Sequence, residues 1–146
     1  MSLSQHFKTN QTKEQNGIPV EFAEAPNDDG SIPTFIVARV GKANKDYSKA
    51  LEVATRPHRR QIELKQFSVE KSDEMFMKLF ASHVLRGWSN VSNVDVFGEG
   101  TGYAPYSAEN AIKLFVRLPE IFNRLQDEST HLSNFLDESL EDDSKN

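Results

Sequence analysis

The sequence predicts a mainly α fold: one α-helical domain with a small N-terminal β-hairpin, α+β by strict count. Two observations carry this. Met75, Phe76, Leu79, Phe80, Val84 and Trp88 recur at helical i, i+3 and i+4 spacing, as do Ala111, Ile112, Phe115 and Leu118 further on. The β-type patterning is confined to residues 19–24, which alternate apolar and polar, and to residues 34–40, which are rich in β-branched and aromatic side chains.

Along the chain, Met1 to Gly17 is polar, and its composition predicts a flexible arm. The two predicted strands are joined by Asn27-Asp28-Asp29-Gly30-Ser31, residues that accept the left-handed backbone a turn requires. An isolated hairpin is marginal in water, so this one is expected to lie against helices. Asn44 is placed to cap a helix carrying Tyr47, Ala50, Leu51 and Ala54, which Pro57 should end or kink near Arg56. A short helical stretch through Ile62 and Leu64 follows. Ser68 then caps the core helix, which is expected to run to Gly87 and aim the Trp88 indole at the following turn. Beyond the glycine-rich loop Phe97–Gly102, Ser107 caps a further helix with Glu109 in its first turn. Pro119 breaks that helix or opens the next one. Ile121, Phe122, Leu125, Leu132, Phe135 and Leu136 are expected to line a last helix, fraying into Glu141-Asp142-Asp143. The organisation read from the sequence is thus an arm at 1–17, a single domain at 18–140 and an acidic tail at 141–146.

Composition limits the function classes. The 146 residues suit one domain with a real core, and the low hydrophobic fraction of 37% predicts much solvated or partner-facing surface. There is no cysteine, which removes disulfides, thiol nucleophiles and cysteine-ligated zinc. Met1–His6 has no apolar run of the signal-peptide kind, and no stretch approaches the roughly 18 apolar residues of a membrane span. A soluble intracellular protein is expected.

The net charge of −5 conceals an asymmetry. From Arg39 to Lys71 nine bases face four acids, a surplus of +5; from Glu120 onward eight acids face two bases, a deficit of −6. Blocks of opposite sign can steer one copy onto another, and Arg56, Arg59 and Arg60 against Asp137, Glu138 and Glu141 are the candidate residues. Two solvated faces with no specific role are the plainer reading.

No catalytic constellation emerges. Gly98, Gly100 and Gly102 would let backbone approach an anion, but no Lys-Ser/Thr pair follows and Glu99 would repel phosphate. The four histidines lack metal-ligand spacing, and no nucleophile sits in a recognisable elbow. No enzyme activity, cofactor or metal is expected. The basic knot Arg56–Arg60 lacks nearby aromatics for stacking and sits in an acidic protein, which argues against nucleic acid. Trp88, Phe97, Tyr103 and Tyr106 are the candidate partner-binding cluster, with core packing the competing reading for Trp88.

One arrangement resembles a known family. A strand Phe35–Val40 leads through Gly41-Lys42-Ala43-Asn44 into basic helices. A helix ending Val84-Leu85-Arg86-Gly87-Trp88 comes next, then a turn, then Pro105-Tyr106-Ser107-Ala108-Glu109-Asn110-Ala111 and a helix pair. This resembles the tail assembly chaperones of long-tailed bacteriophages and prophages, over about Thr34 to Phe135. The Trp88–Ser107 connection is longer than in that pattern, and the polar arm is additional. The resemblance implies a helical protein of the bacterial host cytoplasm that binds the tape measure protein, recruits tail tube subunits and is absent from the mature virion. It also implies self-association into a homo-oligomer and a frameshift-extended form of the same chain. A structural tail or connector component of the virion is the alternative.

Overall fold

The computed structural model describes residues 2–138, and a three-stranded antiparallel sheet organises the helices around it. The strands are β1 (Ile18–Glu21), β2 (Thr34–Val37) and β3 (Leu85–Ser89), in the order β1-β2-β3. The helices are α1 (Leu3–Phe7), α2 (Gln11–Asn16), α3 (Lys45–Thr55), α4 (Arg59–Glu63), α5 (Val69–His83), α6 (Asn93–Phe97), α7 (Ala108–Arg117) and α8 (Pro119–Thr130). The mainly α class with a small β part is the observed one.

The hairpin forms as the turn chemistry dictates. β1 pairs with β2, Val20 opposite Phe35, and Gly30 adopts φ +86° inside a loop closed by the Asn27 N–H donating to Ser31 O at 2.9 Å. The caps also form: the side chains of Asn44, Ser68 and Ser107 each accept the backbone N–H three residues on, at 3.1, 3.2 and 3.0 Å. The core is a continuous cluster in which Phe35, Val37, Phe80, Val84, Leu114, Phe115 and Leu125 are all buried. Phe80 meets Phe115 and Phe122 edge-on, at centroid separations of 6.0 and 5.3 Å.

Three expectations are corrected. The core helix stops at His83, and Leu85–Ser89 leaves it to become the third strand, with Trp88 opposite Phe35. Phe80, Val84 and Trp88 are spaced like a continuing helix, but the open side of β2 offers Leu85–Ser89 backbone partners, with a bulge at Arg86. Gly87 is therefore a strand residue and not a helix cap. Secondly, residues 3–16 are not a loose arm. They form two capped short helices, bound to the body by the Arg39 N–H donating to Glu14 O at 2.9 Å and the Asn10 N–H to Phe135 O at 2.8 Å. Thirdly, the last helix ends at Thr130, and Leu132–Phe135 is a separate 3₁₀ turn that buries Phe135 beside the N-terminal segment. Thr9 bridges Leu136 there, so two segments that are polar or short in sequence cover each other. The acidic tail expected at 141–146 lies outside the described residues.

Candidate functional site

Pro57 shapes an open apolar groove on the surface. It sits in a 3₁₀ turn, Arg56–His58, which ends α3 and swings the chain into α4. α4 is one turn long and has no buried residue, so it cannot cover the apolar side of α3 and the start of α5. Lys65 adopts φ +57° and returns the chain to Phe67, whose ring packs on His58 at 4.9 Å. The result is a groove of about 560 Å³, lined chiefly by Leu51, Ile62, Phe67, Val69, Met75 and Phe76. Ile62 is 39% exposed and Val69 75%, and Leu64 stands out beside them. Exposed apolar side chains gathered along one groove mark an interaction surface more often than scattered ones do.

The charges at this groove are mostly basic. Arg59, Lys65 and Glu63 reach its wall. Arg56 is held by Glu52 at 3.2 Å, one helical turn earlier. Among the described residues, no carboxylate lies within ion-pair distance of Arg59, Arg60 or Lys65. The opposite block is partly used within the chain: Lys8 lies 3.9 Å from Asp137 and Lys13 3.0 Å from Glu138. The structure thus brings neither of these acids to the Arg56–Arg60 knot. Glu141 lies outside the described residues.

The four candidate aromatics divide into two pairs. Trp88 stands edge-on between Phe35 and Tyr106, at 5.9 and 5.4 Å, and its indole N–H donates to Ala104 O at 2.9 Å. The Tyr106 hydroxyl lies 3.0 Å from Ala81 O and 2.8 Å from Leu85 O, spanning the junction where α5 becomes β3. Burial pushes that phenol's pKa up. Trp88 and Tyr106 are thus half-buried clamps that hold the segment before α7 against α5 and β3. Phe97 and Tyr103 face outward, 43% and 44% exposed. Lys113 Nζ lies 5.2 Å over the Phe97 ring. Tyr103 donates to Asp29, so the glycine-rich loop is tied to the hairpin turn.

A polar cluster that sequence reasoning did not find joins α2, α3, α5 and β3. Asn44, fully buried, donates to His83 O at 2.8 Å and accepts from Arg86 at 3.2 Å. Asp46 receives His83 Nδ1 at 2.9 Å and Arg86 Nη1 at 3.1 Å, and these contacts, His83 first, lower its pKa. Arg86 also donates to Gln15 O at 2.9 Å. Every member is occupied in joining elements, and Arg86, not a hydroxyl, completes the His83–Asp46 pair. Among the described residues there is no group of three or more His, Cys, Asp or Glu placed to hold a metal ion. Nor is any described helix long and apolar enough to cross a membrane.

The molecule is therefore a helical protein on a small sheet, with an open apolar groove between α3, α4 and α5. A family model described as YdaY prophage protein matches residues 42–146, from the start of the α3 region through the groove, β3, α7 and α8. The chain belongs to that family and is a prophage protein. No curated protein and no solved structure matches it.

Proposed function

We propose that this prophage protein is a tail assembly chaperone. In this reading it is non-enzymatic, needs no cofactor and acts in the bacterial host cytoplasm. It binds the tape measure protein while the tail is built, engages tail tube subunits, and is left out of the mature virion. It works as a homo-oligomer together with a frameshift-extended form of itself. The observation that carries the reading is the open groove between α3, α4 and α5, an apolar surface that α4 is too short to close. A chaperone for a long helical client requires such a surface, and a self-contained domain has no use for it.

The alternative, a structural tail component that extends its sheet into a neighbour, fits less well. Of the sheet's two outer strands, β1 is four residues long and contains Pro19, which has no N–H to offer a further strand, and β3 forms the other edge. Co-expression with the tape measure gene of the same prophage tests the proposal. The tape measure protein should stay soluble and copurify, and purified particles should lack this chain. Stoichiometric recovery of the chain from purified particles would favour the structural component instead.

A further inference from the structure

The groove has a chemistry that selects among helices. Its floor is side chains from three helical elements, and no strand edge opens into it, so an extended peptide would find no backbone partners there. A helix satisfies its own backbone and needs only an apolar stripe to enter. From Arg56 to Lys71 five bases face two acids. Arg59 and Lys65 sit on the wall itself, opposed there by Glu63 alone.

We infer that the groove between α3, α4 and α5 takes an amphipathic helix of the client whose apolar stripe is flanked by acidic side chains. The apolar stripe packs on Leu51, Ile62, Phe67, Met75 and Phe76, while Arg59 and Lys65 meet the flanking carboxylates. The charges choose the client segment and its direction; the apolar contacts hold it. The inference deepens the chaperone reading, and only the identity of the client rests on that reading.

The test uses the full chain with selectively labelled methionine methyls and two synthetic 20-residue helical peptides. Both peptides carry leucines at i, i+3, i+4 and i+7; one is flanked by Glu and the other by Lys. At low salt the Glu-flanked peptide should bind at least tenfold tighter and shift the Met75 methyl resonance, with the preference shrinking as salt rises. Ile62→Asp, at a half-exposed position outside the buried core, should abolish binding while circular dichroism stays native. The double variant Arg59→Glu, Lys65→Glu should invert the preference. Equal binding of the two peptides, no binding of either, an unmoved Met75 methyl, or binding unchanged in Ile62→Asp would each overturn the inference. If the Glu-flanked peptide binds as described but the tape measure protein does not copurify, the groove chemistry stands and the chaperone reading falls. If the tape measure protein copurifies but neither peptide is preferred, the chaperone reading stands and the groove chemistry falls.

Discussion

The Arg39 guanidinium lies 2.7 Å from the Glu14 carboxylate, and Glu14 is only 3% exposed. The pair joins α2 to the chain just beyond β2, and it is the strongest reason that residues 3–16 belong to the body of the molecule. Arg39→Ala would leave a carboxylate buried without its cation. The expected loss is about 2–4 kcal/mol, somewhat less than for breaking a fully buried pair because Arg39 itself is partly solvated. Urea unfolding of the single variant, and of Glu14→Gln beside it, measures this. A loss below about 0.5 kcal/mol would mean the segment is loosely held.

Phe80→Ala should cost about 3–5 kcal/mol, through lost burial and a cavity facing Phe115 and Phe122. Thermal or urea unfolding reads it directly. A small change would remove α5 from the core.

The contact between Tyr103, Ser31 and Asp29 is predicted to be acid-sensitive. Hydrogen bonds from the Ser31 side chain, then from Tyr103, hold the Asp29 carboxyl at about 2, below its ordinary 3.8. A depressed folded-state pKa means the contact contributes fully above about 3.8 and is lost as pH falls through about 2. Titration of the Asp29 carboxyl by NMR should therefore move upward in Ser31→Ala, and by less in Tyr103→Phe. An unchanged titration in both would show that the loop is not tied to the hairpin turn.

Self-association through charge is expected to be salt-dependent, because exposed charges are screened beyond about 10 Å at 0.1 M. Sedimentation at low salt should give larger species that shift to monomer as salt rises, and Arg59→Glu with Arg60→Glu should remove them. A single monomeric boundary at high concentration in low salt would contradict the prediction.

What the sequence made legible was local. Asn44, Ser68 and Ser107 cap their helices because each side-chain oxygen needs only the N–H three residues on, and the Asn27–Ser31 turn likewise closes on itself. What was missed depends on distant partners. Leu85–Ser89 reads as more helix until Thr34–Val37 is known to present an open edge. Glu14 looks like one more solvated acid until Arg39 is beside it. The groove was illegible for the same reason: Leu51, Ile62, Phe67 and Met75 come from separate elements, and only the swing at Pro57 brings them together. Trp88 drew notice as an aromatic at an element end, yet its place between Phe35 and Tyr106 makes it part of the scaffold.

The central claim is that the groove holds the client. The direct measurement is the amount of tape measure protein that copurifies with three forms of the full chain at equal expression. These are the unaltered protein, a groove variant (Ile62→Asp with Phe76→Ser) and a loop variant (Phe97→Ser with Tyr103→Ser), all with native circular dichroism. Capture should fall at least tenfold in the groove variant and stay near the unaltered level in the loop variant. Undiminished capture by the groove variant, with loss in the loop variant, would contradict the account and move the client to the outward-facing aromatics of the glycine-rich loop.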